Sequence, residues 1–190
     1  MTEFIDIISD KEAALRFGWD KVPENSECPV IVEGSPERLK VATKKAGCDI
    51  ICPDVSHKEG DFMHQKNSGM DTTIVRDAQK NGISVLFRFS DALDSYGKVR
   101  ALVLSRMRQN VLLCEKAGCT MILTSGTQNS IGVRAPKELI AFGKIIGMDD
   151  SSAKSAISTN PAIALKRARE RKDPNVVANG VVIMPKETLD

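Results

Sequence analysis

The two histidines, His57 and His64, lie in one polar stretch running from Asp54 to Asn67. A hydrolytic metal centre on an α/β scaffold gathers several His, Asp or Glu ligands from different strand ends. Two His in one loop fall short of that, and no metal site is expected. The chain also has no Gly-x-x-x-x-Gly-Lys-Ser/Thr phosphate loop, no Gly-x-Gly-x-x-Gly after a strand and no Gly-x-Ser-x-Gly nucleophile elbow. Cys28, Cys48, Cys52, Cys114 and Cys119 show no Cys-x-x-Cys pairing, and small buried thiols, reduced in a cytoplasm, are the simplest reading. A Cys–His nucleophile pair has candidates, but nothing singles one out. No residue set predicts catalysis.

Cations offer more. Arg88 interrupts the apolar run Val85-Leu86-Phe87-Arg88-Phe89 near its end. Its guanidinium either reaches solvent at the carboxyl edge of a strand, where α/β folds bind ligands, or pairs with a buried acid. Thr124-Ser125-Gly126-Thr127 leaves the next apolar run with hydroxyls and a Gly. Such a turn can present N–H groups to phosphate, although it is equally an ordinary strand exit. Lys166-Arg167-Ala168-Arg169-Glu170-Arg171-Lys172 holds five cations in seven positions. Helical spacing spreads them around the axis, so this is either a solvated helix end or a phosphate-binding feature.

The net charge of +2 hides an asymmetry. Residues 1–95 hold 12 Lys/Arg against 17 Asp/Glu, whereas residues 96–172 hold 14 against 5. A segment this basic points to a polyanionic partner. Aromatics are scarce, at six Phe, one Trp and one Tyr, and none interleaves the basic cluster. Backbone contact with nucleic acid is therefore expected over base stacking.

The elements that must position these residues follow a repeated grammar. Lys45-Ala46-Gly47, Lys80-Asn81-Gly82 and Lys116-Ala117-Gly118 each run into a short apolar segment. A basic last turn and a left-handed Gly end a helix, and continuous apolar runs fit parallel strands buried on both faces. Earlier strands are expected at Phe4–Ile8 and Pro29–Val32, and another at Val181–Met184. Ser35-Pro36-Glu37 starts a helix. Val99, Leu102, Val103, Met107, Val111 and Cys114 form a helical stripe, with Arg100, Arg106 and Arg108 between them. Further helices are expected from Pro136 to Gly147 and from Ser151 to Lys172, the latter broken at Asn160-Pro161. Alternating strands and helices make an α/β fold with a parallel sheet, either doubly wound or a barrel.

At 190 residues, 42% hydrophobic and 27% charged, the chain suits one globular domain with a substantial core. The expected division is one domain over 1–172 and a weakly specified tail over 173–190. No apolar run approaches the ~20 residues of a membrane span. Met1–Asp10 carries three acids and no cation, which makes a poor secretory signal. A cytoplasmic protein without membrane contact is expected.

An ordered series of short motifs then resembles a known family. Leu123-Thr124-Ser125-Gly126-Thr127-Gln128, Val133-Arg134-Ala135-Pro136-Lys137-Glu138-Leu139 and Ile146-Gly147-Met148 are similar to archaeal ribonuclease P protein component 3, the counterpart of a eukaryotic nuclear ribonuclease P subunit. The resemblance continues through Ala153-Lys154, Ala156-Ile157-Ser158 and Pro161-Ala162-Ile163 to Lys166-Arg167, and back through Gly69-Met70-Asp71 and Lys80-Asn81-Gly82 to Cys48–Pro53. It implies a TIM-type (β/α) barrel, like phosphoesterase barrels without their metal ligands. Between Ile8 and Pro29 the chain lacks a strand–helix unit or more of the family pattern, so a shortened or incomplete barrel is expected. The resemblance further implies a non-catalytic subunit that pairs with a second small protein and supports the RNA. That RNA uses Mg2+ to remove the 5′ leader of precursor tRNA, and the protein binds no cofactor of its own. Candidate RNA contacts are Arg88, Arg134, Lys137, Lys154, Lys166 and Arg167. Arg134 stands just before the helix start at Pro136, where its side chain and free N–H groups can share an anion. The rival reading is a small-molecule or phosphoester-cleaving barrel enzyme.

Overall fold

The computed structural model describes residues 3–182 apart from 25–26, 45–47, 62, 64–65, 174–175 and 179–180, with backbone alone for 176–178 and 181–182. His64 and the Gly47 turn lie outside these residues. The elements in order are α1 (Lys11–Arg16), β1 (Ile31–Gly34), α2 (Pro36–Lys44), β2 (Ile50–Pro53), α3 (Thr72–Lys80), β3 (Ser84–Arg88), α4 (Phe89–Leu93), α5 (Gly97–Ala117), β4 (Met121–Thr124), a 3-10 turn (Ser130–Gly132), α6 (Pro136–Ile145), α7 (Asp150–Ser155), α8 (Thr159–Lys172), β5 (Val176–Ala178) and β6 (Val181–Val182).

Strands β1 to β4 pair in parallel and in sequential order. Each right-handed crossover steps the same way, so the connecting helices share one face. That is barrel winding. A doubly wound sheet would reverse its order and put helices on both faces. The period of two along each strand divides the core accordingly. Ile51, Val85, Phe87, Met121 and Leu123 pack under the helices with Leu39, Ile74, Val103, Met107 and Leu139. Ile50, Cys52, Leu86 and Ile122 face the inside, where they meet Ile7 and Ala164. Gly82 and Gly118 end α3 and α5 with φ of 64° and 67°, as the repeated Lys-x-Gly turns predict.

Beyond β4 the barrel is shortened. Phe4–Ile8 is not a regular strand: its pairing is limited to the bridges Ile5↔Lys21 and Ser9↔Thr127. Chain from the α7–α8 turn wedges in beside it, so that Leu123 N–H donates to Ala156 O and Ile5 N–H to Ile157 O. The first strand runs Ile31–Gly34 instead of Pro29–Val32, because Pro29 has no N–H and Val30 N–H is taken by the Asp49 carboxylate at 2.7 Å. The helix break falls at residues 156–158, before Asn160-Pro161. Pro161 is the third residue of α8, where a missing N–H costs no helical bond. In the tail, β6 pairs antiparallel with β5 and does not extend the main sheet, while Ile183 and Met184 lie outside the described residues. No helix among the described residues is long and apolar enough to cross a membrane.

Helix α8 crosses the inner side at the amino-terminal end of the strands. Asn160 Nδ2 donates to Met121 O at 2.7 Å at one side of the sheet. At the other, Arg171 meets both carboxylate oxygens of Asp49 at 2.9 and 2.8 Å. The Asp49 side chain is fully buried. Removing this buried carboxylate leaves Val30 N–H without its acceptor and α8 without this tie, at a cost of about 1–3 kcal/mol. Asp49→Ala should therefore lose about that much stability in urea unfolding. Glu170→Ala, which breaks the exposed pair with Lys166, should change it by less than about 0.5 kcal/mol.

Candidate functional site

The carboxyl ends of the strands carry the first three candidate cations. Arg88 closes β3 on the inner face, and its guanidinium is held by Glu33 at 2.6 Å and by Asp91 at 3.2 Å. Of the two readings open to it, the structure shows the ion pair. Burial pushes the Asp91 carboxyl up, against the pull of Arg88. Beneath them, burial pushes the Cys52 thiol up to about 12, so this strand-end sulfur is no nucleophile near neutral pH. Among the described residues no three His, Cys, Asp or Glu side chains converge as metal ligands do. His57 turns Nε2 to Asn67 O at 2.9 Å instead.

Arg134 is pinned by its backbone. Its N–H donates to Ser125 Oγ at 3.2 Å, and its carbonyl accepts from Trp19 Nε1 at 2.7 Å. The guanidinium lies 5.2 Å from the Phe89 ring centroid and donates to Ile131 O and Val133 O. No carboxylate pairs with it among the described residues, and its charge is met there by those carbonyls and the ring. The hydroxyls of the β4 exit serve the fold: Thr124 Oγ1 and Ser125 N–H both bond the buried Asp6 carboxylate. At the start of α6, Glu138 accepts Ala135 N–H at 2.9 Å. That acid occupies the helix start expected to share an anion with Arg134. Lys137, in the first turn of α6, is exposed and has no ion pair among the described residues.

The other three candidates lie at the opposite end. Lys154 on α7 pairs with Asp150 at 2.6 Å yet stays 60% exposed. Lys144 and Lys154 together hold the Asp150 carboxyl down to about 2. Lys166 pairs loosely with Glu170 at 3.7 Å and is 78% exposed. Arg167 reaches Asn81 O and the Asp49 carboxylate. The six candidates thus form two clusters, Arg88, Arg134 and Lys137 at one end of the strands and Lys154, Lys166 and Arg167 at the other. Solvent-facing charge rests on Lys137, Lys154 and Lys166, Arg134 is half-buried with no carboxylate partner among the described residues, and Arg88 and Arg167 hold their ends in shape.

Arg106, expected between the apolar positions of α5, is fully buried. It donates to the carbonyls of Val55, His57 and Glu59 and contacts Asp61. Asn110, one turn on, donates to Ser68 O at 2.8 Å. Together they fasten the long β2–α3 loop at the carboxyl end. The signal was present in the helical spacing, since Val103, Arg106, Asn110 and Cys114 share one face. Residue type hid it, because a lone Arg ordinarily reads as solvated.

Arg106→Met should leave three carbonyls without a donor and cost about 3 kcal/mol or more. Hydrogen exchange should speed up in residues 54–61 before the rest of the chain, and unchanged exchange there would contradict the assigned role. Asp6 yields a pH signature. Burial pushes its carboxyl above the usual range despite the donors around it. The folded protein then binds this proton more tightly than the unfolded chain, so the associated stability is present in acid and lost as pH rises through the raised value. Above about pH 4, Asp6→Asn should remove that falling component from the urea-unfolding profile.

Comparison with known proteins accords with this geometry. The family model described as RNase P subunit p30 matches residues 28–173. Ribonuclease P protein component 3 of Methanosarcina mazei is 24% identical over 185 residues, covering 97% of this chain and 73% of that protein. The protein of the same description from Methanococcoides burtonii is 32% identical over 118 residues, covering 62% and 48% respectively. A chain in the cryo-EM structure of archaeal ribonuclease P with mature tRNA superposes with a TM-score of 0.71 at 20% identity, over 97% of this chain and 90% of that one. This last likeness establishes the shared barrel-type fold. On the extent of the family match, the chain belongs to the RNase P subunit p30 family.

Proposed function

We propose that this protein is a subunit of ribonuclease P and braces the catalytic RNA while that RNA removes the 5′ leader from precursor tRNA. Membership of the p30 family over residues 28–173 carries the reading. The chemistry of bond cleavage, with its Mg2+, belongs to the RNA, and the protein supplies fixed positive charge in the cytoplasm. Its partners are that RNA, a second small protein subunit in direct contact and the remaining subunits of the holoenzyme, with precursor tRNA as the substrate of the whole.

The physical role follows from repulsion. A compact RNA fold brings phosphates together, and each cation placed between them lowers the cost of that fold. Arg134, Lys137, Lys154 and Lys166 are the proposed phosphate contacts. Arg88 and Arg167 act as positioning residues, since each is paired with a carboxylate and less than a third exposed. Because the contacts lie at both ends of the strands, the protein would touch RNA at two separated places.

Binding to a ribonuclease P RNA transcript should weaken steeply with salt, by ~0.9 log units per log unit of salt for each phosphate neutralised on a duplex. Lys137→Ala combined with Lys154→Ala should reduce that slope by about 1 to 2 with little change in urea unfolding. Salt-independent binding would contradict the reading. An unchanged slope in the double variant would remove these two contacts from it.

A further inference from the structure

One aromatic ring stands apart from the rest of the molecule. Tyr96, the single tyrosine, ends the α4–α5 loop at the carboxyl end of the sheet and is 76% exposed. It plays no part in the α5 core, which is built from Val103, Met107, Val111 and Cys114. The Arg100 guanidinium lies 5.3 Å from the ring centroid. That guanidinium is itself fixed, with Nε donating to Ser95 O at 2.6 Å and Nη2 to Leu93 O at 3.2 Å. A cation attracts the π face of an aromatic ring, so the ring is held in place before any ligand arrives, and less ordering is required on binding.

The surroundings favour an anion beside the ring. Lys98 is exposed next to it, and α5 carries no acid before Glu115. Asp94, exposed two residues earlier, is the opposing charge nearest in sequence.

We propose that Tyr96, backed by Arg100, is a stacking platform for an unpaired base of single-stranded RNA, with a flanking phosphate taken by Lys98. The inference rests on the RNA-binding reading above and adds a base contact to its phosphate contacts. Stacking is tolerant of sequence because every base has a π face.

The test uses the full chain with a fluorescently labelled single-stranded oligoadenylate and an RNA duplex of equal length, titrated at several salt concentrations. Tyr96→Ala should weaken single-strand binding by about 5- to 100-fold, the range expected for one stacked base, and leave the salt slope and duplex affinity unchanged. Tyr96→Phe, which keeps the π face, should bind within about twofold of wild type. Single-strand affinity unchanged in Tyr96→Ala would overturn the platform while leaving the phosphate contacts in place. Equal losses for single strand and duplex would overturn it too, as would a loss confined to binding a protein subunit. A wild-type chain with no salt-dependent RNA binding at all would remove both this inference and the reading beneath it.

Discussion

The buried carboxylate of Asp49 connects the parts of this structure that have least else to join them. It accepts from Val30 N–H ahead of β1, stands at the entry to β2 and is clasped by Arg171 from α8. A sheet of four sequential parallel strands has an apolar inner face, here Ile50, Cys52, Leu86 and Ile122, and a complete barrel would cover that face with its own remaining strands. This chain covers it with a helix. Only with α8 held across the amino-terminal end can Ala164 reach the inner cluster, and only then do Lys166 and its neighbours take up fixed positions on the outside.

The same logic divides the cations into two kinds. Arg88, Arg106, Arg167 and Arg171 are used within the fold, each meeting carboxylates or carbonyls that would otherwise lack a partner. Guanidinium suits this work because its planar fork serves several acceptors at once. The outward charge comes largely from lysines, Lys137, Lys154 and Lys166, whose flexible stems keep ammonium groups in water. Arg134 belongs to both kinds, with a pinned backbone and a guanidinium that has no carboxylate partner among the described residues.

Much of this was legible from residue order. The Lys-x-Gly turns placed the strands that follow Gly82 and Gly118, and Ser35-Pro36-Glu37 placed the start of α2. Sequential winding was not legible, because strand order depends on which way each crossover steps, and periodicity carries no such information. The Phe4–Ile8 run looked like a strand, but its pairing is interrupted by chain that arrives from residues 156–157. The roles of Arg106 and Tyr96 were not legible either. Arg106 was placed between the apolar positions of α5, and the carbonyls that bury it arrive from a loop far away in sequence. An aromatic ring outside the basic cluster was passed over, because its 76% exposure and the fixing of Arg100 by Ser95 O and Leu93 O depend on the fold.

The account stands on a division of labour in which RNA breaks the bond and this chain shapes the RNA. Its most direct test is single-turnover cleavage of one precursor tRNA in one buffer at limiting Mg2+, by the ribonuclease P RNA with its other protein subunits, with this protein present or omitted, and by this protein alone. The 5′ leader should be released faster when the protein joins the RNA-containing mixture, and not at all by the protein alone. Cleavage by the nucleic-acid-free protein, or no gain on adding it to the RNA, would contradict the account.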